Sequence, residues 1–136
     1  MALTEQIAKE NLPKHIAITM DGNGRWAEQK GKFRVFGHQN GVKAVRETVE
    51  AAAEIGIKYL TLYAFSTENW DRSEREVNAL MTLLITTINK ETKTLMDNDI
   101  RLDAIGDLDQ LPEKCKKKLN QAIEKTKSNK RMTLIL

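Results

Sequence analysis

The chain has one cysteine in 136 residues, Cys115, so no internal disulfide can form. That usage fits a reducing compartment. Aromatic residues amount to only 5%, too few to interleave with basic residues as a stacking platform for single-stranded nucleic acid. No apolar run is long enough to span a bilayer, and residues 1–11 lack the pattern of a secretory signal. The expected setting is therefore the cytoplasm. A dominant charge of one sign is also lacking: 22 basic residues face 19 acidic ones and the net value is +3, which suits an anionic ligand without demanding nucleic acid. What remains is ordinary for a globular protein, with 40% hydrophobic and 30% charged residues and enough length for one domain with a real core. Cys115 stands among Lys114, Lys116, Lys117 and Lys118, a setting that favours the thiolate. With no base or resolving cysteine in view, it reads as an incidental surface thiol.

The hydrophobic pattern alternates between two periods. Residues 1–14 read as a short helix ended by Pro13, and His15-Ile16-Ala17-Ile18 as a short buried strand. Residues 28–40 are basic and punctuated by glycine, and read as a loop. From Gly41, the residues Val42, Val45, Val49 and Ala52 recur at helical spacing up to a C-cap at Gly56. A second buried strand follows over Tyr59, Leu60, Leu62 and Tyr63 and runs into Ala64-Phe65. Ser73-Glu74-Arg75-Glu76 is a capping box opening a long helix with Val77, Leu80, Met81, Leu84, Ile88 and Leu95 on one stripe, ended near Asn98. Ile100, Leu102 and Ala104 alternate with Arg101 and Asp103 as a third strand. Pro112 suits the first position of a lysine-rich helix, whose apolar face is Leu111, Cys115, Leu119, Ala122 and Ile123. Residues 132–136 begin a fourth strand.

Strand–helix alternation of this kind predicts an α/β fold, a parallel sheet with helices on both faces. The chain stops on an apolar strand without a cap, a polar tail or a closing helix. Residues 1–136 thus read as the N-terminal portion of a single catalytic domain, truncated after the fourth strand. In open parallel sheets ligands bind beyond the carboxyl ends of the strands. Two polar clusters fall at such ends, residues 21–25 and 66–72.

The first cluster, Asp21-Gly22-Asn23-Gly24-Arg25, joins three capabilities. A carboxylate can hold a hard cation such as Mg²⁺, together with waters and substrate phosphates. Glycines let backbone N–H groups approach an anion closely. An arginine can fork onto phosphate oxygens. The plain alternative is a glycine turn capped by Asp21. Gly22-x-Gly24-x-x-Ala27 does not read as a dinucleotide fingerprint. Asp21 would repel a pyrophosphate unless a metal intervened, Arg25 and Trp26 are bulky where helix and strand should pack closely, and no acid ends the second strand. The Asp-x-Asp pattern of aspartyl-phosphate phosphatases is missing at this strand end, where Thr19 stands two residues before Asp21, and no Asp-Asp-x-x-Asp run is present. His38 alone reads as a phosphate donor or a structural histidine. Trp26 and Trp70 read as pocket walls or core packing.

At this level of detail the sequence resembles the cis-prenyltransferases, closest to bacterial undecaprenyl diphosphate synthases. The likeness is carried by residues 20–27, by Gly31, Arg34, Gly37, His38 and Gly41, by residues 60–70 with Arg72, and by Ile105-Gly106-Asp107. It implies Mg²⁺-dependent condensation of isopentenyl diphosphate onto an allylic diphosphate such as farnesyl diphosphate, with each new double bond Z, to give a long polyprenyl diphosphate. By resemblance, Asp21 would bind Mg²⁺ and act as the critical acid. Gly22, Asn23, Gly24 and Arg25 would cradle the allylic diphosphate, with Trp26, Arg34 and His38 around it. Ser66, Thr67 and Glu68 would touch substrate beside Trp70 and Arg72. Asn69 would share in proton removal. The helices from Val42 and Val77 would line a tunnel for the growing chain. The full-length family protein is expected as a homodimer, with membrane contact at most peripheral, at the inner face, through its lipid product. The family's later portion supplies an Asn-Tyr-Gly-Gly-Arg segment, arginines and a serine for isopentenyl diphosphate, and a glutamate completing the metal site. None of these lies in the 136 residues, so half an active site and an inactive piece are expected. The alternative is a non-catalytic, dimerising partner with the same fold. Such a partner has no need of intact Asp21, Arg25, Arg34, His38 and Asn69.

Overall fold

The computed structural model describes residues 3–19, 23–63 and 74–136. Four short strands, β1 (His15–Thr19), β2 (Tyr59–Tyr63), β3 (Ile100–Asp103) and β4 (Met132–Ile135), form one sheet in the order β1-β2-β4-β3. All three pairings are parallel. The connections are helical: α1 (Asn23–Gln29) and α2 (Arg34–Ile55) between β1 and β2, α3 (Glu74–Asp97) between β2 and β3, and α4 (Glu113–Thr126) between β3 and β4. This is the α/β parallel sheet that the alternating periods predict.

Burial alternates along each strand, and the register lines up the more buried apolar set. Ile16 pairs with Leu60, Leu60 with Leu134, and Leu102 with Leu134. With Leu62, Ile100 and Met132 these form a row on one face. Val49, Ala52 and Ala53 of α2, Ile88 and Leu95 of α3, and Leu119 and Ala122 of α4 close over that row in one continuous core. The alternate positions differ. Tyr59 and Tyr63 are 49% and 61% exposed, so the expected buried strand over 59–63 is buried at Leu60 and Leu62 only. In the expected buried strand over 15–18, Ile16 and Ile18 are half-buried while His15 and Ala17 are exposed.

Local chemistry explains the boundaries and corrects several expectations. Residues 3–11 form two 3₁₀ turns, Leu3–Gln6 and Lys9–Asn11, rather than one helix. Residues 28–40 are not a loop: α1 runs to Gln29 and α2 begins at Arg34. Gly37, one of the glycines that suggested a loop, and Gly41, where the helix was expected to begin, are both buried within α2, which packs against α1. One turn apart, they share a helix face and let another backbone come close. The glycines that do break helices are Gly31 and Gly56, at φ +72° and +99°. After Gly56, the Ile57 N–H donates to the Ala52 carbonyl at 3.0 Å, and after Gly31 the Lys32 N–H donates to that of Ala27 at 2.9 Å. Both are left-handed C-terminal caps. Pro112 caps α4 from outside instead of being its first residue.

The β3 edge of the sheet is covered by side chains from the end of α4. The Leu102 N–H donates to Thr126 Oγ1 at 2.9 Å, and Asn129 Nδ2 donates to the Ile100 carbonyl at 2.8 Å. Thr126 is fully buried and donates in turn to the Ala122 carbonyl. Thr126→Val should lower the unfolding free energy by about 2 kcal/mol, because it orphans a buried N–H. Thr126→Ser should recover most of that loss. Urea denaturation of the three proteins checks this ordering.

Candidate active site

The site begins with the β1–β2 register. Thr19 and Tyr63 are partners at the carboxyl ends of adjacent parallel strands. Each is followed directly in the chain by one of the two polar clusters. The two strand ends after which the polar clusters follow in the chain are therefore adjacent, at the end where ligands of open α/β sheets bind. Asp21, Gly22, Ser66, Thr67, Glu68, Asn69, Trp70 and Arg72 themselves lie outside the described residues, as does Ser73 of the capping box.

Asn23, Gly24 and Arg25 form the first turn of α1, so Arg25 stands on a helix rather than inside a loop. Its side chain is exposed. Trp26 is 39% exposed while its neighbour Ala27 is fully buried. This settles the choice for Trp26, which lies at the surface and is not core. Lys30 Nζ lies 5.4 Å from the centre of its ring, a cation–π distance. Arg34 opens α2 and His38 follows one turn later. Backbone geometry thus gathers Asn23 to His38 on the two helices that follow β1. Among the described residues no three His, Cys, Asp or Glu side chains cluster as a metal site. Asp21 would bring one hard carboxylate donor, a set that suits Mg²⁺ only when diphosphate and water complete the shell. A hollow along α4 is lined by that helix alone, including Glu113, Asn120 and Gln121, and is the space between side chains on a convex surface.

One interhelical ion pair was not anticipated from the sequence. Arg46 of α2 donates through Nε to both carboxylate oxygens of Glu91 on α3, at 3.1 and 3.0 Å, and again through its second terminal nitrogen. Glu91 is only 16% exposed. The signal was present in the sequence: Glu91 occupies the stripe of Leu84, Ile88 and Leu95, where a carboxylate needs a partner.

Cys115 is the opposite case. It is fully buried, not a surface thiol, and its S–H points to the Met81 carbonyl at 3.7 Å. Burial pushes its pKa up, against the thiolate that the flanking lysines suggested.

Two outcomes follow from these contacts. Arg46→Ala and Glu91→Ala should each melt about 5 °C lower, and the double variant no lower than the worse single, because each single strands the other member. Calorimetry of the four proteins tests that coupling. Cys115 should resist a thiol reagent at neutral pH until denaturant is added. Its raised pKa also fixes a sign, since the unfolded chain ionises first as pH rises. The thiol's contribution is therefore complete below the ordinary thiol pKa and lost as pH climbs through the folded value, and Cys115→Ala should flatten that alkaline decline.

Known proteins share this arrangement. The family described as "Putative undecaprenyl diphosphate synthase" matches residues 19–136. A ditrans,polycis-undecaprenyl-diphosphate synthase of Pasteurella multocida is 52% identical over 95% of this chain and 54% of its own length. An isoprenyl transferase of Chlorobaculum tepidum is 50% identical over 92% of this chain and 47% of its own. The crystal structure of lavandulyl diphosphate synthase from Lavandula x intermedia, in complex with dimethylallyl diphosphate, superposes with a TM-score of 0.88 at 36% identity, over 91% of this chain and 53% of that one. The chain spans about half the length of the curated relatives it matches. Its sheet, its paired strand ends and the profile match over residues 19–136 agree: the chain belongs to the undecaprenyl diphosphate synthase family.

Proposed function

We propose that the chain carries the allylic-diphosphate half of a cis-prenyl chain-elongating site. The observation that carries this reading is the Thr19–Tyr63 register, from which both polar segments leave together. In the reaction the double bond of isopentenyl diphosphate attacks the allylic carbon, the allylic diphosphate departs, and a proton is lost. Departure of the diphosphate builds negative charge. Arg25 and the N–H groups around Gly22 and Gly24 would stabilise that charge, with Arg34 and His38 beside them. Mg²⁺ held by Asp21 would supply further charge neutralisation when bound. Asn69 would share in proton removal, while Ser66, Thr67, Glu68, Trp70 and Arg72 would position substrate.

The growing chain would run between α2 and α3. In support, Val42 and Val45 on α2 and Leu80 and Leu84 on α3 are apolar yet only half-buried. The allylic diphosphate in the Lavandula structure is of the same chemical class. Isopentenyl diphosphate would need groups beyond these 136 residues, so the chain alone would bind an allylic diphosphate without elongating it. The full-length protein would be a homodimer. No helix among the described residues is long and apolar enough to cross a membrane, and contact with the inner membrane face would be peripheral.

Calorimetric titration of the chain with a non-hydrolysable thio analogue of farnesyl diphosphate and Mg²⁺ should show binding that Asp21→Ala and Arg25→Ala each weaken about tenfold or more. The same chain should incorporate no labelled isopentenyl diphosphate. Binding unaffected by Asp21→Ala would overturn the assignment, and polyprenyl product from the chain alone would overturn the half-site.

A further inference from the structure

Residues 113–131 hold eight basic side chains against two acidic ones. The segment carries +6 where the whole chain carries +3, so the remainder is net −3. The helix segregates these charges. Cys115, Leu119, Ala122 and Thr126 face the core. At 100° per residue, one flank then holds Glu113, Lys116, Glu124 and Lys127, and the other Lys114, Lys117, Lys118 and Lys125.

The two flanks differ in pairing as well as in composition. On the first, Lys116 meets Asp109 at 3.2 Å and Glu113 at 3.4 Å, and Lys127 meets Glu124 at 2.9 Å. The second carries no acid of its own, and its outermost member, Lys117, lies one turn from Glu113 and two from Glu124 without pairing with either. Its four lysines make no ion pair among the described residues. Lys114, Lys117 and Lys125 are exposed and Lys118 is half-buried. Lys130 and Arg131, both exposed, follow the helix. The result is a basic strip about 16 Å long whose lysines make no ion pair among the described residues.

We propose that this flank of α4 docks on an anionic bilayer surface. Charge complementarity is the first argument: four or more basic residues clustered on an amphipathic helix attract anionic headgroups. The second separates a membrane from nucleic acid. Residues 71–136 contain no Phe, Tyr or Trp, so α4 and the segments flanking it bring no aromatic ring on which a base could stack. The third rests on the function proposed above, because a polyprenyl product keeps its chain in hydrocarbon and an enzyme held at the bilayer releases it there.

The test is co-sedimentation of the purified chain with vesicles of phosphatidylcholine, with and without one third phosphatidylglycerol, at low salt. Binding should require phosphatidylglycerol and fall as salt rises. At about fivefold per charge, Lys114, Lys117, Lys118 and Lys125 all changed to Gln should weaken partition on the order of a hundredfold or more. A charge-matched control, Lys9, Lys58, Lys90 and Lys93 all changed to Gln, should bind nearly as the parent does. Circular dichroism checks that both variants remain folded. Equal binding to pure phosphatidylcholine, equal loss in the control, or tighter binding to poly(U) RNA than to the vesicles would each overturn the proposal. Because vesicle binding needs no allylic diphosphate, failure here is distinct from failure of the proposed reaction.

Discussion

The sheet depends on a shared parallel register. Because side chains alternate along a strand, sliding any strand by one residue would move its leucines to the opposite face. The pairing of Ile16, Leu60, Leu134 and Leu102 across four strands puts the apolar set where α2, α3 and α4 can cover it. The same register aligns Thr19 with Tyr63. Packing and chemistry therefore share one constraint: the pairing that builds the core also brings two distant polar segments to one end of the sheet.

Above that row, α2 and α3 meet through apolar contacts and one charged clamp. Arg46 and Glu91 hold a fixed geometry through a bidentate fork, which is more directional than apolar packing. If a long apolar chain runs between these helices, the clamp marks a polar point along an otherwise apolar wall. Its position is fixed by helix register, and so is tied to the packing of Ile88 and Leu95 below it.

Much of this was legible in the sequence, and the failures share a cause. Strands appeared where apolar residues alternate, and α3 and α4 where they recur every three or four positions. The motif residues 20–27 and 60–70 gave the family. Three things were hidden. The start of α2 was hidden because Gly31 and Gly37 punctuate a basic stretch and look like breakers, whereas Gly37 lies buried inside the helix. The burial of Cys115 was hidden by its sequence neighbours, although adjacent helical residues point 100° apart and the lysines beside it look away from the core. The strand order β1-β2-β4-β3 has no local signature, since it is decided by which faces pack, so the sequence could suggest but not establish that the two polar clusters meet.

Thr126 and Asn129 occupy hydrogen-bonding groups on the outer side of β3, and the other margin of the sheet is β1. The two margins are therefore not equivalent. A strand arriving at β3 would have to displace a buried hydroxyl and an amide already in place, whereas one arriving at β1 meets no such barrier among the described residues. Among the described residues the sheet is thus an asymmetric template: a strand pairing at β3 meets groups already occupied by Thr126 and Asn129, and one pairing at β1 meets no such groups.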